Sequence, residues 1–228
     1  MDFKTIKSLI LYEDNHLLVI NKPSGYLVQG DETGDAPLSD ILKNFIKERD
    51  AKPGNVFMGV IHRIDRPVSG VVLFAKTGKG LERMNEQFRL NKVRKTYHAI
   101  VSPIPLKGSA ELHNFLRKDG RVNMAKVYDK EVADSKECLL TYKTLKKVRG
   151  HALLEVFPQS GRFHQIRAQL AHSGSPIVGD VKYGAKQPNS DRSVCLHARA
   201  IEFKHPAKED IIKITAPYPA FAAWQEIK

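Results

Sequence analysis

Residues 62–70 read HRIDRPVSG, a polar stretch between the two short apolar runs VFMGVI and VVLFA. This pattern predicts a turn-rich loop that joins two strands. The loop carries one carboxylate, Asp65, with Arg63 and Arg66 on either side of it. Since functional groups are often held by loops on a rigid scaffold, Asp65 is a candidate catalytic residue. The same residue types also suit a plain surface turn, and periodicity alone favours that second interpretation.

Outward from this loop, the apolar pattern predicts more strands than helices. Helices are predicted at residues 38–46, 80–90, 163–172 and 221–228, and strands at residues 9–20 (a strand pair), 56–61, 71–75, 93–101, 142–148, 152–157, 194–203 and 211–215. Short turns join many of the strands, whereas a parallel sheet needs a crossover helix between most of them. The pattern therefore predicts an α+β fold with a largely antiparallel sheet.

The charge balance favours a polyanionic partner. The chain has 228 residues and a formal net charge of +12, and its basic residues cluster at residues 83–95 and 143–149. A basic surface of this kind does not distinguish nucleic acid from an anionic membrane face or from a merely basic protein. Either cluster alone is also typical of a solvated face. No apolar run approaches the roughly 20 residues of a membrane span, and the N-terminus does not resemble a signal peptide. We therefore expect a cytoplasmic protein that does not enter membranes.

Several other classes of site are not supported by the sequence. The two cysteines, Cys138 and Cys195, exclude a disulfide framework and are most simply two partly buried thiols. Cys195 and His197 offer only two zinc ligands, without a second pair. No glycine-rich phosphate loop of the dinucleotide or P-loop type is present. We therefore expect neither a metal nor another cofactor.

Six segments, in one order along the chain, carry a resemblance to a known family. The loop at residues 62–70 resembles the His-Arg-Leu-Asp-x-x-Thr-Ser-Gly signature of the RluA family of RNA pseudouridine synthases. The other segments that resemble this family are NKPSG at residues 21–25, KTYHA at residues 95–99, GRFHQIR at residues 161–167, PIVGDVKYG at residues 176–184 and LHA at residues 196–198. Each segment alone is weak evidence for the resemblance, but together the six segments span nearly the whole chain. The departures from the family pattern are Ile64, Val68, Phe163 and Gln169.

The resemblance implies an isomerase that converts specific uridines of structured RNA, ribosomal or transfer, to pseudouridine without a cofactor. It implies the pseudouridine synthase catalytic fold, a large and mostly antiparallel mixed sheet in two packed subdomains flanked by helices and loops. Residues 1–228 would then form a single catalytic domain without a separate N-terminal RNA-binding domain, so that domain itself must contact the RNA. We expect a monomer.

The resemblance also implies roles for individual residues. Asp65 takes the place of the catalytic aspartate, and Arg167 that of the arginine that pairs with it, which would keep the carboxylate ionised. Tyr97 matches the tyrosine that packs on the target base and acts in the final proton removal. Arg63 matches an arginine that fills the space left by the flipped nucleotide. Without the resemblance, Arg167 would be an exposed helical arginine and Tyr97 a half-buried strand residue.

Further basic residues are candidates for phosphate contacts. The full set of predicted RNA-binding residues is Arg63, Arg66, Arg89, Lys92, Arg94, Lys95, Arg162 and His164. The run at residues 143–149 serves the same purpose or is simply solvated, and the sequence favours neither interpretation.

Two other functions would use parts of the same sequence. A non-catalytic protein of the same fold that binds or folds RNA would keep the basic surface but would not need Asp65, Tyr97 and Arg167 together. A glycosidic hydrolase needs two carboxylates in defined roles. Asp180 is the only evident second acid, and its Val-Gly-Asp setting predicts a turn.

Overall fold

The computed structural model describes residues 1–227 as helices and strands that form two compact units. Unit 1 is Met1–Arg94 with Ala198–Tyr218, and unit 2 is Lys95–His197 with the described part of Pro219–Lys228. Along the chain the elements are α1 (Phe3–Leu9), β1 (Ile10–Glu13), β2 (Leu17–Lys22), α2 (Leu38–Arg49), β3 (Gly59–Val60), β4 (Ser69–Ala75), α3 (Gly78–Arg89), β5 (Arg94–Val101), β6 (Ser109–Asp119), β7 (Met124–Tyr128), β8 (Lys136–Val148), β9 (His151–Pro158), α4 (Gln165–His172), a 3-10 turn (Val181–Tyr183), β10 (Leu196–Lys204), β11 (Ile211–Thr215) and α5 (Ala222–Ile227). The predicted α+β fold class is confirmed.

The strands of unit 1 follow the order β1-β2-β4-β10, with β3 paired to β4 and β11 paired to β10. Strands β2 and β4 are antiparallel from the Leu17–Ala75 pair to the Lys22–Gly70 pair. They are almost fully buried, as expected for the apolar runs LLVI and VVLFA. This register places the end of β2 beside the start of β4, where residues 62–70 enter the sheet.

Two predicted helices pack on unit 1 through the residues that their spacing indicated. In α2, Leu42, Phe45 and Ile46 are buried. In α3, Met84 is buried and Phe88 is partly buried against the same core cluster. Helix α3 begins where the Thr77 hydroxyl accepts a hydrogen bond from the Gly80 N–H at 3.1 Å, which satisfies a backbone donor of the first turn.

The strands of unit 2 follow the order β5-β9-β8-β6-β7. The pairings of β5 with β9, β9 with β8, β8 with β6 and β6 with β7 are all antiparallel. The predicted hairpin is present, with Arg149 and Gly150 both at positive φ between β8 and β9. Positive φ at two central residues gives a two-residue turn whose twist matches that of the flanking strands. Helix α4 covers part of this sheet through Ala168 and Ala171, which pack with Leu116 and Cys138.

The structure differs from the predicted elements at several places, and β8 begins at Lys136 rather than at residue 142. Helix α1 was not predicted because its seven residues bury only Ile6 and so carry no apolar period. Strands β6 and β7 were also not predicted, since charged residues interrupt their alternation. The strand predicted at residues 56–61 is reduced to the two residues of β3, and Phe57 in its first half is 47% exposed. The end of the last predicted helix, Lys228, lies outside the described residues.

No helix within residues 1–227 is both long enough and apolar enough to cross a membrane.

Candidate active site

The loop that carries Asp65 is held in place by buried apolar residues that precede and follow Asp65 in the sequence. Ile64 is 8% exposed and Val68 is 2% exposed, while Asp65 between them is half-buried. The Val68 N–H donates to the Asp65 carbonyl at 3.0 Å and closes a turn. This arrangement fixes the backbone at Asp65, and the residue remains partly exposed.

The segment at residues 21–25 is hydrogen-bonded to the Asp65 loop. The Gly25 N–H donates to the Arg66 carbonyl at 2.8 Å, and the Arg66 Nε donates back to the Gly25 carbonyl at 2.9 Å. The Ser24 hydroxyl donates to the Pro67 carbonyl at 3.1 Å. Gly25 has a φ of +92°, a conformation that glycine adopts without strain. Two segments about forty positions apart therefore form one rigid loop pair.

Lys22 lies beneath this loop pair and has no exposed surface. Its Nζ donates to the carbonyls of Pro23 at 3.0 Å, Tyr26 at 2.8 Å and Arg66 at 3.0 Å. These three acceptors match the three donors of an ammonium group. Burial lowers the pKa of Lys22 to about 7, with the nearby Asp65 carboxylate opposing the shift and Arg66 adding to it. Lys22 thus places a buried amino group within electrostatic reach of Asp65.

The ends of the loop are fixed by His62 and Gly70. The Leu73 N–H donates to the His62 Nε2 at 3.2 Å, and the His62 ring stacks on Phe88 of α3 with centroids 5.1 Å apart. Gly70 has a φ of +116°, and a Cβ there would overlap the backbone of Ala198. The chain can therefore turn from the loop into β4 only because residue 70 lacks a side chain.

In unit 2, the candidate residue Arg167 lies on α4 and is 5% exposed. Its Nε and Nη2 donate to the two carboxylate oxygens of Asp180 at 2.7 and 2.8 Å. Its guanidinium lies 5.2 Å from the centroid of the Tyr183 ring. The position of Arg167 is therefore determined by a two-point ion pair and by an aromatic face.

Asp180, the second acid considered from sequence, is 1% exposed and precedes the 3-10 turn, so the turn predicted there is present. Tyr183 in that turn accepts a hydrogen bond from the Ala125 N–H at 2.7 Å and contacts the His164 Nδ1 at 2.8 Å. His164 has a φ of +53° and directly precedes α4. Asp180 and Tyr183 thus hold the start of α4 and its arginine in place.

Gln165 fastens the loop before α4. Its Oε1 accepts hydrogen bonds from the Ser160 hydroxyl at 2.7 Å and the Arg162 N–H at 3.2 Å, and its Nε2 donates to the Leu139 carbonyl at 3.1 Å. Arg162 itself is exposed, and its Nε donates to the Glu137 carbonyl at 3.2 Å. Arg162 therefore presents the rest of its guanidinium to solvent.

Tyr97 and Lys95 lie on β5 in unit 2. Tyr97 pairs with Val156 of β9 and is half-buried. Lys95 is half-buried, its Nζ donates to the Ser160 carbonyl at 3.2 Å, and burial lowers its pKa. The structure thus uses Lys95 at least partly as an internal hydrogen-bond donor.

The other predicted RNA-binding residues lie at the surface of unit 1. They are Arg63, Arg66, Arg89, Lys92 and Arg94, all of which are exposed. Arg66 pairs with Asp35 at 2.7 Å, and Arg94 pairs with Glu202 at 3.1 Å. In the run at residues 143–149, Lys143 pairs with Glu155 at 2.7 Å. Burial tends to raise the pKa of that carboxyl, but Lys143 and His98 outweigh burial and lower the pKa.

Within each unit, the structure brings several predicted residues together. Unit 1 groups Asp65 with Arg66 and with Lys22, to which no role was assigned from sequence. Unit 2 groups Arg167 and His164 around Tyr183. The segments NKPSG and PIVGDVKYG resemble the family in sequence. Their residue types, however, did not indicate that Lys22 would be buried.

Neither a metal cluster nor a reactive thiol is evident in the part of the chain that the structure describes. No three side chains among His, Cys, Asp and Glu in residues 1–227 are grouped to hold a metal ion. Cys138 and Cys195 are both buried, as their interpretation from sequence anticipated, and burial raises the pKa of each thiol to about 11. A thiol with so high a pKa is a poor nucleophile at neutral pH.

Solved structures show the same fold. The chain matches "Human RNA Pseudouridylate Synthase Domain Containing 4" with a TM-score of 0.81 and 24% identity, over 97% of this chain and 92% of that one. It matches "Human RNA Pseudouridylate Synthase Domain Containing 1" with a TM-score of 0.74 and 21% identity, over 92% and 83% of the two chains.

Sequence relatives identify the family. Residues 16–172 match the family described as RNA pseudouridylate synthase. The chain is 36% identical over 222 residues to ribosomal large subunit pseudouridine synthase C of Buchnera aphidicola subsp. Baizongia pistaciae, covering 92% of this chain and 67% of that relative. It is 35% identical over 225 residues to ribosomal large subunit pseudouridine synthase D of Xanthomonas campestris pv. campestris, covering 92% and 66%. The chain thus spans about two thirds of the length of these relatives. It belongs to the RluA family of RNA pseudouridine synthases and is an isomerase of that class.

Proposed function

We propose that this protein converts uridine to pseudouridine in large-subunit ribosomal RNA, with Asp65 as the catalytic residue. The observation that carries the proposal is the setting of Asp65, a half-buried carboxylate on a backbone held by Lys22 and by residues 21–25. Preorganised groups of this kind are what a reaction without a cofactor requires of its protein. The choice of ribosomal RNA rests on the names of the relatives, which are ribosomal large subunit pseudouridine synthases.

The reaction breaks the bond between the ribose C1′ and the uracil N1, turns the base and joins C1′ to the uracil C5. A base then removes the proton on C5 and N1 takes up a proton, so the product has the same atoms and electrons as the uridine that it replaces. Asp65 acts in its ionised form, either by attacking the ribose or the base or by removing a ribose proton after the glycosidic bond has broken. Lys22 is in electrostatic contact with both Asp65 and Arg66 of this loop, and Asp65 opposes the lowering of the Lys22 pKa by burial.

Tyr97 and Arg167 are proposed to serve the same reaction. The Tyr97 ring is suited to pack on the target base, and its hydroxyl is suited to the final proton removal. The Arg167 guanidinium would orient the catalytic carboxylate, and its two-point pair with Asp180 fixes the direction of its remaining donors. Both residues are included in this proposal because the segments that carry them resemble the family's motifs.

The target nucleotide must leave the RNA stack before Asp65 can reach it, which costs a few kcal/mol. Arg63 is exposed beside Asp65 in the sequence, and its planar guanidinium is suited to fill the space that the base vacates. The other contacts in the proposal are to phosphates, from Arg66, Arg89, Lys92, Arg94, Lys95, Arg162 and His164. Phosphate contacts of this kind weaken steeply as salt increases.

The proposal is tested with total RNA from a host strain that lacks this protein. The RNA is incubated with wild type, with Asp65→Ala or with the control Asp40→Asn, whose carboxylate forms an exposed ion pair on α2. Pseudouridine is then detected by chemical tagging and reverse-transcription stops. We expect a new stop in large-subunit ribosomal RNA with wild type and Asp40→Asn, and none with Asp65→Ala. RNA binding by wild type without any stop would instead support a non-catalytic RNA-binding protein.

A further inference from the structure

A second basic feature of unit 1 lies apart from the Asp65 loop. A cleft of about 560 Å³ lies between α3 and the turn that joins β10 to β11. Five basic side chains line it, and they are Arg83, Lys92, Arg94, Lys204 and Lys208. They come from α3, from the start of β5 and from residues 204–208, so distant parts of the sequence supply one charged surface.

The acidic residues of the cleft are matched by basic partners. Glu202 pairs with Arg94 at 3.1 Å, Glu209 pairs with Lys204, and Glu86 lies 3.8 Å from Arg89. The remaining basic residues have no such partner. Within residues 1–227, no carboxylate lies within 4.0 Å of Arg83, Lys92 or Lys208. The cleft therefore carries uncompensated positive charge.

The wall of the cleft is held against α3 by three hydrogen bonds. The Gln87 side chain donates to the Lys204 carbonyl at 2.8 Å and accepts from the Lys204 N–H at 3.1 Å. The Arg83 Nη1 donates to the Pro206 carbonyl at 2.7 Å. That contact occupies one guanidinium nitrogen and leaves the donors on the others for a ligand.

His205 anchors the same wall from the other side. Its Nδ1 accepts from the Ala207 N–H at 3.0 Å, and its Nε2 lies 2.6 Å from Asp14 Oδ2. Burial tends to raise the pKa of Asp14, but hydrogen bonds from the backbone of His16, from His205 and from other groups outweigh it and lower the pKa to about 2. Both ring nitrogens of His205 are therefore occupied, so its role is to fix residues 204–208 rather than to transfer protons. The basic side chains on this wall are held in place before any ligand arrives.

We propose that this cleft binds the sugar-phosphate backbone of the RNA substrate at nucleotides outside the target uridine. The inference rests on the proposed function for the identity of the polyanion. Guanidinium and ammonium groups on a preformed surface are suited to phosphodiester oxygens. Helix α3 also connects the cleft to the catalytic loop, because Arg83 and Gln87 line the cleft while Phe88 stacks on His62. RNA held in the cleft would thus contact the helix that supports the Asp65 loop.

The test is a binding measurement in an Asp65→Ala background, where turnover does not interfere. The probe is a fluorescein-labelled RNA stem-loop with unpaired uridines, and its affinity is measured from about 50 to about 200 mM salt. The cleft variant carries Arg83→Gln, Lys92→Gln and Lys208→Gln. The control carries Lys4→Gln, Lys7→Gln and Lys47→Gln, which remove the same charge from exposed positions on α1 and α2 of the same unit.

We expect the cleft variant to bind roughly 10- to 100-fold more weakly than its parent. The magnitude of the slope of log affinity against log salt should decrease by about 2 to 3, so that binding depends less on salt. The control should lose less than about threefold and keep its slope. A second variant with only Lys92→Gln and Lys208→Gln retains the Arg83 contact to the wall and should still lower the slope by about 1 to 2.

Equal affinity and slope in the parent, the cleft variants and the control would overturn the inference. The result is separate from the proposed function, which is judged by pseudouridine formation with the wild type. Pseudouridine formation together with unchanged binding in the cleft variants would reject this inference alone. Cleft-dependent RNA binding without pseudouridine would reject the proposed activity alone.

Discussion

Arg167 and Asp180 form a buried ion pair in which two guanidinium nitrogens meet the two carboxylate oxygens at 2.7 and 2.8 Å. The two residues are 5% and 1% exposed. Taking both charges out of water is costly, and the two-point geometry offsets this only while both partners are present. A residue proposed to orient the catalytic carboxylate therefore depends on an acid that is not itself proposed to react.

The first prediction concerns this pair. Asp180→Asn keeps the shape of the side chain but removes the buried carboxylate that meets two of the Arg167 guanidinium nitrogens. We expect the free energy of unfolding to fall by about 3 to 5 kcal/mol, measured by urea denaturation. The control Asp40→Asn removes one partner of an exposed pair, for which a loss below about 1 kcal/mol is expected. Equal losses in the two variants would show that the buried Arg167 pair contributes no more to the free energy of unfolding than an exposed pair does.

The second prediction concerns Lys22. Lys22→Met removes three hydrogen bonds and leaves the carbonyls of Pro23, Tyr26 and Arg66 without this donor. Each buried acceptor left unsatisfied costs about 1 to 3 kcal/mol, so we expect a loss of at least about 2 kcal/mol in urea denaturation at pH 7. The control Lys47→Met changes an exposed lysine and is expected to lose less than about 0.5 kcal/mol. A loss at Lys22 no larger than at Lys47 would contradict the role assigned to this ammonium.

The third prediction is a pH dependence from the same group. Burial lowers the pKa of Lys22 to about 7 from an ordinary value of 10.5, so between these values the unfolded chain binds the proton and the folded protein does not. Stability from Lys22 therefore increases as pH rises through this window and is flat below it, with a slope of at most about 1.4 kcal/mol per pH unit. The measurement is the difference in unfolding free energy between wild type and Lys22→Met at pH 7, 8 and 9. A difference that stays constant or shrinks as pH rises would be inconsistent with the lowered pKa.

The fourth prediction concerns the turn from the Asp65 loop into β4. Gly70→Ala places a Cβ on the backbone of Ala198 and forces a non-glycine residue to a φ of +116°. We expect a loss of at least about 3 kcal/mol, or no folded protein, by thermal and urea denaturation. Gly78→Ala at the start of α3 has open space around its Cβ and is expected to be neutral or to gain about 0.5 kcal/mol. Tolerance of Gly70→Ala would mean that β4 and β10 can separate at this point.

The fifth prediction concerns Tyr97. If its hydroxyl removes the final proton, Tyr97→Phe should bind RNA normally but form pseudouridine about 10²- to 10⁴-fold more slowly in single-turnover assays. The control Tyr142→Phe changes a tyrosine of β8 whose hydroxyl lies 3.5 Å from the Lys107 carbonyl, and it should keep the wild-type rate. A wild-type rate in Tyr97→Phe would limit this residue to packing against the base.

Much of the fold was predictable because its central elements carry strong local patterns. The runs LLVI and VVLFA are apolar throughout, and the apolar residues of α2 recur at helical spacing, so β2, β4 and α2 were each predicted. Helix α1 and strands β6 and β7 were not, because α1 buries only Ile6 and charged residues interrupt the alternation of β6 and β7. The candidate site residues were identified through the family motifs. Periodicity alone would have assigned these residues to turns and exposed helix faces.

The sequence by itself determined the α+β class, the family and the order of the motifs, since these depend on residue types and spacing along one chain. Only the tertiary structure decided that Lys22 is a buried donor beneath Asp65, because its acceptors include a carbonyl at Arg66, 44 positions away. Only the tertiary structure likewise paired Arg167 with Asp180 and gathered the basic residues of the cleft around His205. Hydrogen bonds and charges act over a few ångströms of space, and the distance between two residues in space is fixed by packing rather than by their separation in the sequence.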